Sequence, residues 1–325
     1  MILSASFLLS LLAAGSLPQQ QTIKTTVPLV VVPVSVADRN GRFVHGLTTS
    51  DFLLLDEGQP RSIRVDDADF VTAALDLVVL VQTTDLSDSA LLKIKKVGTM
   101  IQDAVVGANG QAAVMTFSDR AQLAQPFTSE NNAIANAFGK LRSEDTRKGK
   151  LVDAVSKAVD LLASRPETHR RSILIIGEGK DRGSETKLED LLPSLQRSGV
   201  TIYSLNYSAY LTPFTTKGSE YSPPESGSWL DAITETVHAT RPDTCRILTG
   251  ATGGRVLKFE TKSRLENDLI RLGSDIHNRY MLSFTPAEPE SDAGSAFHKI
   301  VIEIRDRPDL RVQARAGYWS GSQAH

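Results

Sequence analysis

The sequence predicts an α/β protein: a doubly wound, mostly parallel sheet joined by a small discontinuous β module from the N- and C-terminal segments. Three observations carry this. Continuous apolar runs such as LDLVVLV (75–81) and ILII (173–176) suit strands covered on both faces. Segments with apolar residues at helical spacing alternate with those runs, which is the pattern of a parallel sheet with crossover helices. The ends of the chain instead show period-two and turn-rich patterning, with no helical stretch between. At 325 residues, 41% apolar and 23% charged, the chain has material for one large domain or two modest ones.

The elements follow in order. Residues 1–16, MILSASFLLSLLAAGS, have a short apolar core followed by small residues. This fits a secretory signal, although no Lys or Arg precedes the core. An apolar N-terminus without that role is the other reading. Ser16 stands where a lipobox would need cysteine, so a lipid anchor is not expected. A linker (17–26) leads to a β segment (27–72). There Val30, Val32, Val34 and Val36 alternate, Asn40-Gly41 makes a tight turn, and Phe43-Val44 starts a return strand. DFLLLDEGQPRSIRV repeats strand, turn and strand.

An α/β domain is expected over 73–278. Its first helix spans 89–105, with Leu91, Ile94, Val97, Ile101 and Val105 on one face. Strands follow at 110–119 and 121–127, the second an edge strand because it carries Pro126. Helices over 129–141 and 150–163 precede a strand at 171–177. A helix strained by Pro193 and closed by Gly199 leads to the strand VTIYSLNYS. The insertion 209–244 is rich in Pro, Gly, Ser and Thr, with a short helix in WLDAITETVHA; it reads as a lid or as a surface loop without a role. GGRVLKF is a further strand, and Ser263 with Glu266 has the spacing of a capping box for a helix to Asn278. The closing β segment (279–319) packs with 27–72, since neither buries a face alone, and 320–325 is a tail.

The net charge of −2 recommends neither nucleic acid nor an anionic membrane as partner, and no later segment has the length to span a bilayer. The mature chain is therefore expected to be exported and soluble, periplasmic or extracellular. Oligomeric state has no signature here. Cys245, the lone cysteine, excludes an intrachain disulfide and a thiolate zinc cluster; it reads as a small buried residue. Tyr203, Tyr207 and Tyr210 alternate between core and sheet edge, and Trp229 either anchors its loop or meets a partner.

Several blocks together resemble the von Willebrand factor A-like proteins abundant in Acidobacteria. They are VPVSVADRNGRFVHGLTTSDFLLLDEGQPRSI (32–63), ATGGR (251–255), RYMLSFTP (279–286) and HKIVIEIRDRPDLRVQARAGYW (298–319). The resemblance implies a Rossmann-like A domain, export, and protein–protein interaction rather than catalysis. It also implies a metal site on three loops at the top of the sheet. Its parts are a D-x-S-x-S after the first strand, a Thr before a later helix, and an Asp after the fourth strand. A Mg²⁺-like ion takes six hard oxygens in an octahedron, which explains those residue types.

Asp85, Ser87 and Ser89 spell D-x-S-x-S, yet alignment by strand end places Gln82, Thr84 and Leu86 at the ligand positions. Gly149 stands where the Thr is expected, with Thr146 three residues early, and Glu178 occupies the Asp position. A degenerate, metal-free site is therefore expected, with no cofactor. The alternative is a rearranged Mg²⁺ or Mn²⁺ site using Asp85, Ser87, Ser89 and Glu178. A hydrolase at the acidic edge formed by Asp85, Asp88, Glu178 and Asp181 has no supporting motif; a solvated rim explains those residues as well. The expected face toward a protein partner comprises Thr83, Asp85, Asp88, Lys148, Lys180, Asp181 and Trp229.

Overall fold

The computed structural model describes residues 29–66, 73–84, 86–166, 168–206, 243–258, 262–286 and 297–319. The expected signal segment, the 209–242 part of the insertion with Tyr210 and Trp229, Tyr207 and Asp85 lie outside them. The N-terminal segment forms β1 (Val30–Ala37), β2 (Phe52–Asp56), β3 (Gln59–Pro60) and β4 (Ile63–Asp66). The return strand expected at Phe43 is reduced to a single bridge, Ala37 to Phe43. Tyr280 takes over that stretch. Its ring stacks on Phe43 at 5.5 Å, its hydroxyl donates to the Val44 carbonyl, and the Leu47 N–H donates to the same hydroxyl.

The apolar runs build the central sheet from β5 (Leu75–Gln82), β6 (Gln111–Phe117), β7 (Ala121–Thr128), β8 (Arg170–Gly177), β9 (Thr201–Asn206) and β10 (Val256–Lys258). Their order is β10-β9-β8-β5-β6-β7. All neighbours are parallel except β7, which pairs antiparallel with β6 at the edge and carries a register shift near Pro126. Every residue of β5 is buried; the apolar run 77–81 suits that, and the buried Asp76 is paired with Arg165.

Helices cover both faces. α1 (Asp88–Gly98) and α2 (Asn131–Gly139) pack on one face, where Ile94, Val97, Ile134 and Phe138 meet Leu77, Val79 and Val81. α3 (Leu151–Ala163), α4 (Leu188–Arg197) and α5 (Thr244–Thr252) cover the other, with Val155, Leu162, Leu195 and Leu248 against Val78 and Leu80. Cys245 is fully buried there, and burial pushes its thiol up to about 12, so it is inert packing. α6 (Lys262–His277) returns to the first face through Leu269 and Leu272; the Ser263 cap falls among residues whose side chains are not described.

The single helix expected over 89–105 is instead two pieces. α1 stops at Gly98, the Thr99 hydroxyl donates to the Lys96 carbonyl, and a π-helical turn covers Ile101–Val106. Two close approaches account for the break. A Cβ on Gly98 would lie 2.4 Å from Phe138 of α2, and one on Gly273 of α6 would lie 1.8 Å from the Ala104 carbonyl oxygen. The chain is re-aimed so that α2 and α6 both reach the sheet.

The closing segment supplies β11 (Tyr280–Phe284), β12 (Phe297–Ile304), β13 (Arg311–Ala314) and β14 (Gly317–Trp319). Two four-stranded sheets result, β13-β1-β11-β4 and β14-β12-β2-β3, each mixing strands from both ends of the chain. They share one core that includes Val32, Val34, Phe52, Leu54, Leu282, Phe284, Ile300 and Tyr318. The discontinuous β module expected from the sequence is therefore a two-sheet stack.

A buried polar seam joins this stack to the α/β part. Asp275 of α6 accepts from the Ser35 hydroxyl of β1 at 2.7 Å, from Arg255 at 3.1 Å and from Arg279 at 3.4 Å. Arg279 also donates to the Gly253 carbonyl, and its guanidinium lies 5.2 Å from the centre of the Tyr203 ring. Gln313 of β13 accepts from Arg255 and donates to the Gly254 carbonyl. Asp275→Ala removes the shared acceptor and leaves Arg279, 6% exposed, without its carboxylate; breaking such a pair costs roughly 3–5 kcal/mol. Urea unfolding should show that loss, and a change below about 1 kcal/mol would mean the seam carries little of the stability.

Beside this seam, Arg170 at the start of β8 donates to the Ile276 carbonyl and to Nδ1 of His277, the latter at 2.9 Å. Because a guanidinium only donates, Nδ1 is the acceptor and the Nε2–H donates to the Val105 carbonyl. Burial and the Arg170 charge hold this imidazole below its ordinary value, against the opposing pull of the Val105 carbonyl. Its folded value is thus below the unfolded one, and the unfolded chain binds the extra proton. Its contribution is present above the unfolded value near 6.5 and is lost as pH falls from there through the folded value. Stability measured across that window should decline on acidification, and His277→Gln should flatten the decline.

Candidate functional site

The loops at the C-terminal ends of β5, β6 and β8 meet above the sheet, the position where open α/β sheets place ligands. The strand β5 ends at Gln82, the Thr83 N–H still donates to the Phe117 carbonyl of β6, and Thr84 forms a single parallel bridge with Glu144. Gln82 is 1% exposed. Its Oε1 accepts the Glu178 backbone N–H at 2.9 Å, which ties the end of β5 to the turn after β8. Two glycines make room for this amide. A Cβ on Gly177 would lie 2.8 Å from Gln82 Oε1, and one on Gly149 would lie 3.0 Å from Gln82 Nε2. The amide side chain thus fills the space between the loops.

The other positions complete a closed arrangement. The Thr84 hydroxyl donates to the Lys148 carbonyl at 2.6 Å, and its Oγ1 would sit 3.7 Å from a Cβ on Gly149. Gly149 and Arg182 exchange two backbone hydrogen bonds, which sew the loop before α3 to the loop after β8. Leu86 points into the core beneath α1, and its N–H donates to the Ser143 hydroxyl. Glu178 forms an ion pair with Arg182. The structure therefore brings together Gln82, Thr84, Gly149 and Glu178, and it sends Leu86 elsewhere.

These residues do not fit an octahedral set of hard oxygens. The Gln82 oxygen is neutral and already accepts a hydrogen bond, Gly149 has no side chain, the Thr84 hydroxyl faces a carbonyl, and Glu178 is neutralised by a guanidinium. Among the described residues, no group of three or more His, Cys, Asp or Glu could hold a metal ion. Of the rearranged set, Ser87 is the N-cap of α1, accepting the Ala90 N–H, and its hydroxyl lies 3.2 Å from that of Ser89. Both serines are exposed.

The expected partner face is divided. Asp88, Lys148 and Lys180 are exposed. Thr83 is not; it is 2% exposed, and its hydroxyl donates to Glu144 at 2.9 Å. A residue just beyond a buried strand turns inward whenever a buried acceptor is available. Asp181 is half-buried because its carboxylate caps α3, accepting from the Val152 N–H at 3.0 Å and from the Ser184 hydroxyl. Negative charge at a helix N-terminus is favourable, so Asp181 holds the loop. Asp153 does similar work. Burial opposes its charge, but N–H donors from Thr186 and Glu185, with Lys150 nearby, hold its carboxyl below the ordinary value.

Sequence reading missed Glu144, Ser118 and Arg182. Glu144 accepts from both Thr83 and Ser118 and so bridges three loops. No motif marks it, since its partners lie 61 and 26 residues away. Beside it opens a cleft of about 190 Å³ lined by Ala124, Ala137, Leu141, Lys140, Arg142 and Glu144, among others.

Residues 80–180 match the family described as von Willebrand factor type A domain. Among solved structures, the chain is similar to an aerotolerance-related membrane protein from Bacteroides fragilis, with 16% identity, 62% of this chain and 98% of that one covered, and a TM-score of 0.45. It is similar to a von Willebrand factor type A protein from Catenulispora acidiphila at 10% identity, covering 92% and 75%, with a TM-score of 0.48. It is also similar to proximal thread matrix protein 1 of the mussel byssus, described with a zinc-occupied MIDAS motif, at 14% identity over 68% and 49%, with a TM-score of 0.45. No curated protein matches.

The packing of the amide yields a coupled prediction. Gly177→Ala overpacks the space around Gln82 Oε1 and should cost about 1–3 kcal/mol. In a Gln82→Ala background the 2.8 Å contact is removed and only the 3.2 Å approach to the retained Cβ remains, so the cost of Gly177→Ala should fall by about 1 kcal/mol or more. Equal costs in both backgrounds, measured by urea unfolding, would show that the two side chains do not share the space.

Proposed function

We propose that this chain, which carries a von Willebrand factor type A domain, is an exported, non-enzymatic protein-interaction module that binds through the loops at the C-terminal edge of its sheet. The observation that supports it is the Gln82 amide between those loops. By alignment, Gln82 and Glu178 stand where a metal-gripping domain would present ligands; Gln82 instead accepts the Glu178 N–H, and Glu178 pairs with Arg182. The edge is thereby rigid without an ion, and the exposed side chains of the same loops remain available to a partner. The domain limits we propose are 73–278 for the α/β part and 27–72 with 279–319 for the β module. The finer likeness to the acidobacterial group rests on the sequence blocks that close the β module.

Two measurements test this reading. A ligand at a hundred times its dissociation constant stabilises a fold by about 2.7 kcal/mol, so a bound metal would be plain in thermal melts. Melts with Mg²⁺, Mn²⁺ or EDTA should superimpose; a metal-dependent rise lost in Asp85→Ala would instead establish the rearranged site. For the binding face, the immobilised chain should retain a protein from the source organism's envelope fraction. Lys148→Trp with Lys180→Trp should abolish retention, and Thr168→Trp at the opposite edge should not. Equal retention by both variants would overturn the assignment of the face.

A further inference from the structure

The edge loops carry more positive charge than their own structure consumes. In the loops 140–150 and 178–187, basic residues outnumber acidic ones, although the whole chain is net −2. Most of the acids are already engaged. Glu144 accepts from Thr83 and Ser118, Glu178 pairs with Arg182, Asp181 caps α3, and Glu185 pairs with Lys150 at 2.7 Å. Arg147, Lys148 and Lys180 are exposed and, among the described residues, none of the three forms an ion pair. The backbone bonds between Gly149 and Arg182 bring the two loops side by side, so these cations share one rim. Asp88, Asp119 and Asp145 are exposed carboxylates of the same edge, and the exposed Arg120, Lys140, Arg142 and Lys187 keep the balance of these loops positive.

Resting on the reading of this edge as the binding face, we propose that its partner is an acidic, extended protein segment carrying an apolar side chain. The cations would meet the segment's carboxylates, and the cleft walled by Ala124, Ala137 and Leu141, with Lys140 and Arg142 beside them, would take the apolar group. At about 190 Å³ the cleft has room for an apolar side chain. A nucleic acid fits less well. The loops 83–87, 118–120, 140–150 and 178–187 contain no aromatic residue on which a base could stack, and a net negative chain repels an extended polyanion. A short acidic segment avoids that repulsion by touching only the rim.

The test uses the whole chain and a fluorescein-labelled peptide of twelve residues, Asp and Glu around a central Leu, read by anisotropy. Its Asn and Gln counterpart is the reference. The acidic probe should bind at least about tenfold more tightly than the reference, and its binding should weaken as salt screens the rim. Arg147→Glu with Lys148→Glu and Lys180→Glu should remove at least about tenfold of that affinity, because like charges then face each other. Lys93→Glu with Lys96→Glu and Arg271→Glu, on exposed helix positions of α1 and α6, should leave it within about threefold; thermal melts establish that both variants fold. The inference is overturned if the acidic probe binds no better than the reference or if the two triple variants weaken it equally. It is also overturned if phosphatidylglycerol vesicles or a single-stranded oligonucleotide bind this rim more tightly than the peptide. If the probe fails while envelope capture still depends on Lys148 and Lys180, only the acidic character is wrong. If capture fails as well, the binding face falls with it.

Discussion

One buried amide governs the functional end of the molecule. Gln82 leaves the last position of the central strand, accepts the N–H that follows β8, and lies against two glycines that could not carry a Cβ without displacing it. Everything nearby follows from that placement. Beside the amide, Glu178 pairs with Arg182, and Gly149, where an added Cβ would lie 3.0 Å from Gln82 Nε2, pairs its backbone with Arg182. Burying a polar group is costly unless it is hydrogen-bonded, and the bond from the Glu178 N–H to Gln82 Oε1 ties the end of β5 to the turn after β8. The space between the loops is thus organised by a neutral, directional group rather than by an ion.

The second constraint lies at the seam between the two parts. The β stack and the α/β part are each apolar inside, yet what joins them is charge: Asp275 receives a hydroxyl from β1 and two guanidinium groups. Burial of such charges is costly unless they are paired, and Asp275 pairs with both Arg255 and Arg279. Gly253 adds to this, because a Cβ there would lie 2.8 Å from the backbone N of Arg315. The terminal strands are therefore seated in one way on the sheet's helices, while the C-terminal edge loops carry the exposed charge.

The sequence was most legible where one periodicity ran without interruption. The strand at 75–82, the helix at 151–163 and the alternating valines of β1 could be read because their burial is decided by neighbours in the chain. It was less legible at 89–105, where apolar spacing alone favours one helix and the tight approach of α2 and α6 breaks it. Alignment to strand ends singles out Gln82 and Glu178, and the LVDA helix start singles out Gly149, as the proposed ligand positions. Their relation to one another could not be read that way, and neither could the inward turn of Thr83 or the capping role of Asp181, since hydrogen-bond partners 29 to 96 residues apart leave no local trace.

By itself, then, the sequence determined the class of the fold and the mixing of its two ends into a β module. These depend on hydrophobic period and residue type, which are properties of the chain read locally. Only the tertiary structure decided that an amide fills the gap, that Arg182 neutralises Glu178, and that Arg147, Lys148 and Lys180 are left exposed on one rim. Those outcomes depend on distances between loops that the chain brings together from far apart, and a buried polar group takes its partner from whatever the completed fold puts within reach.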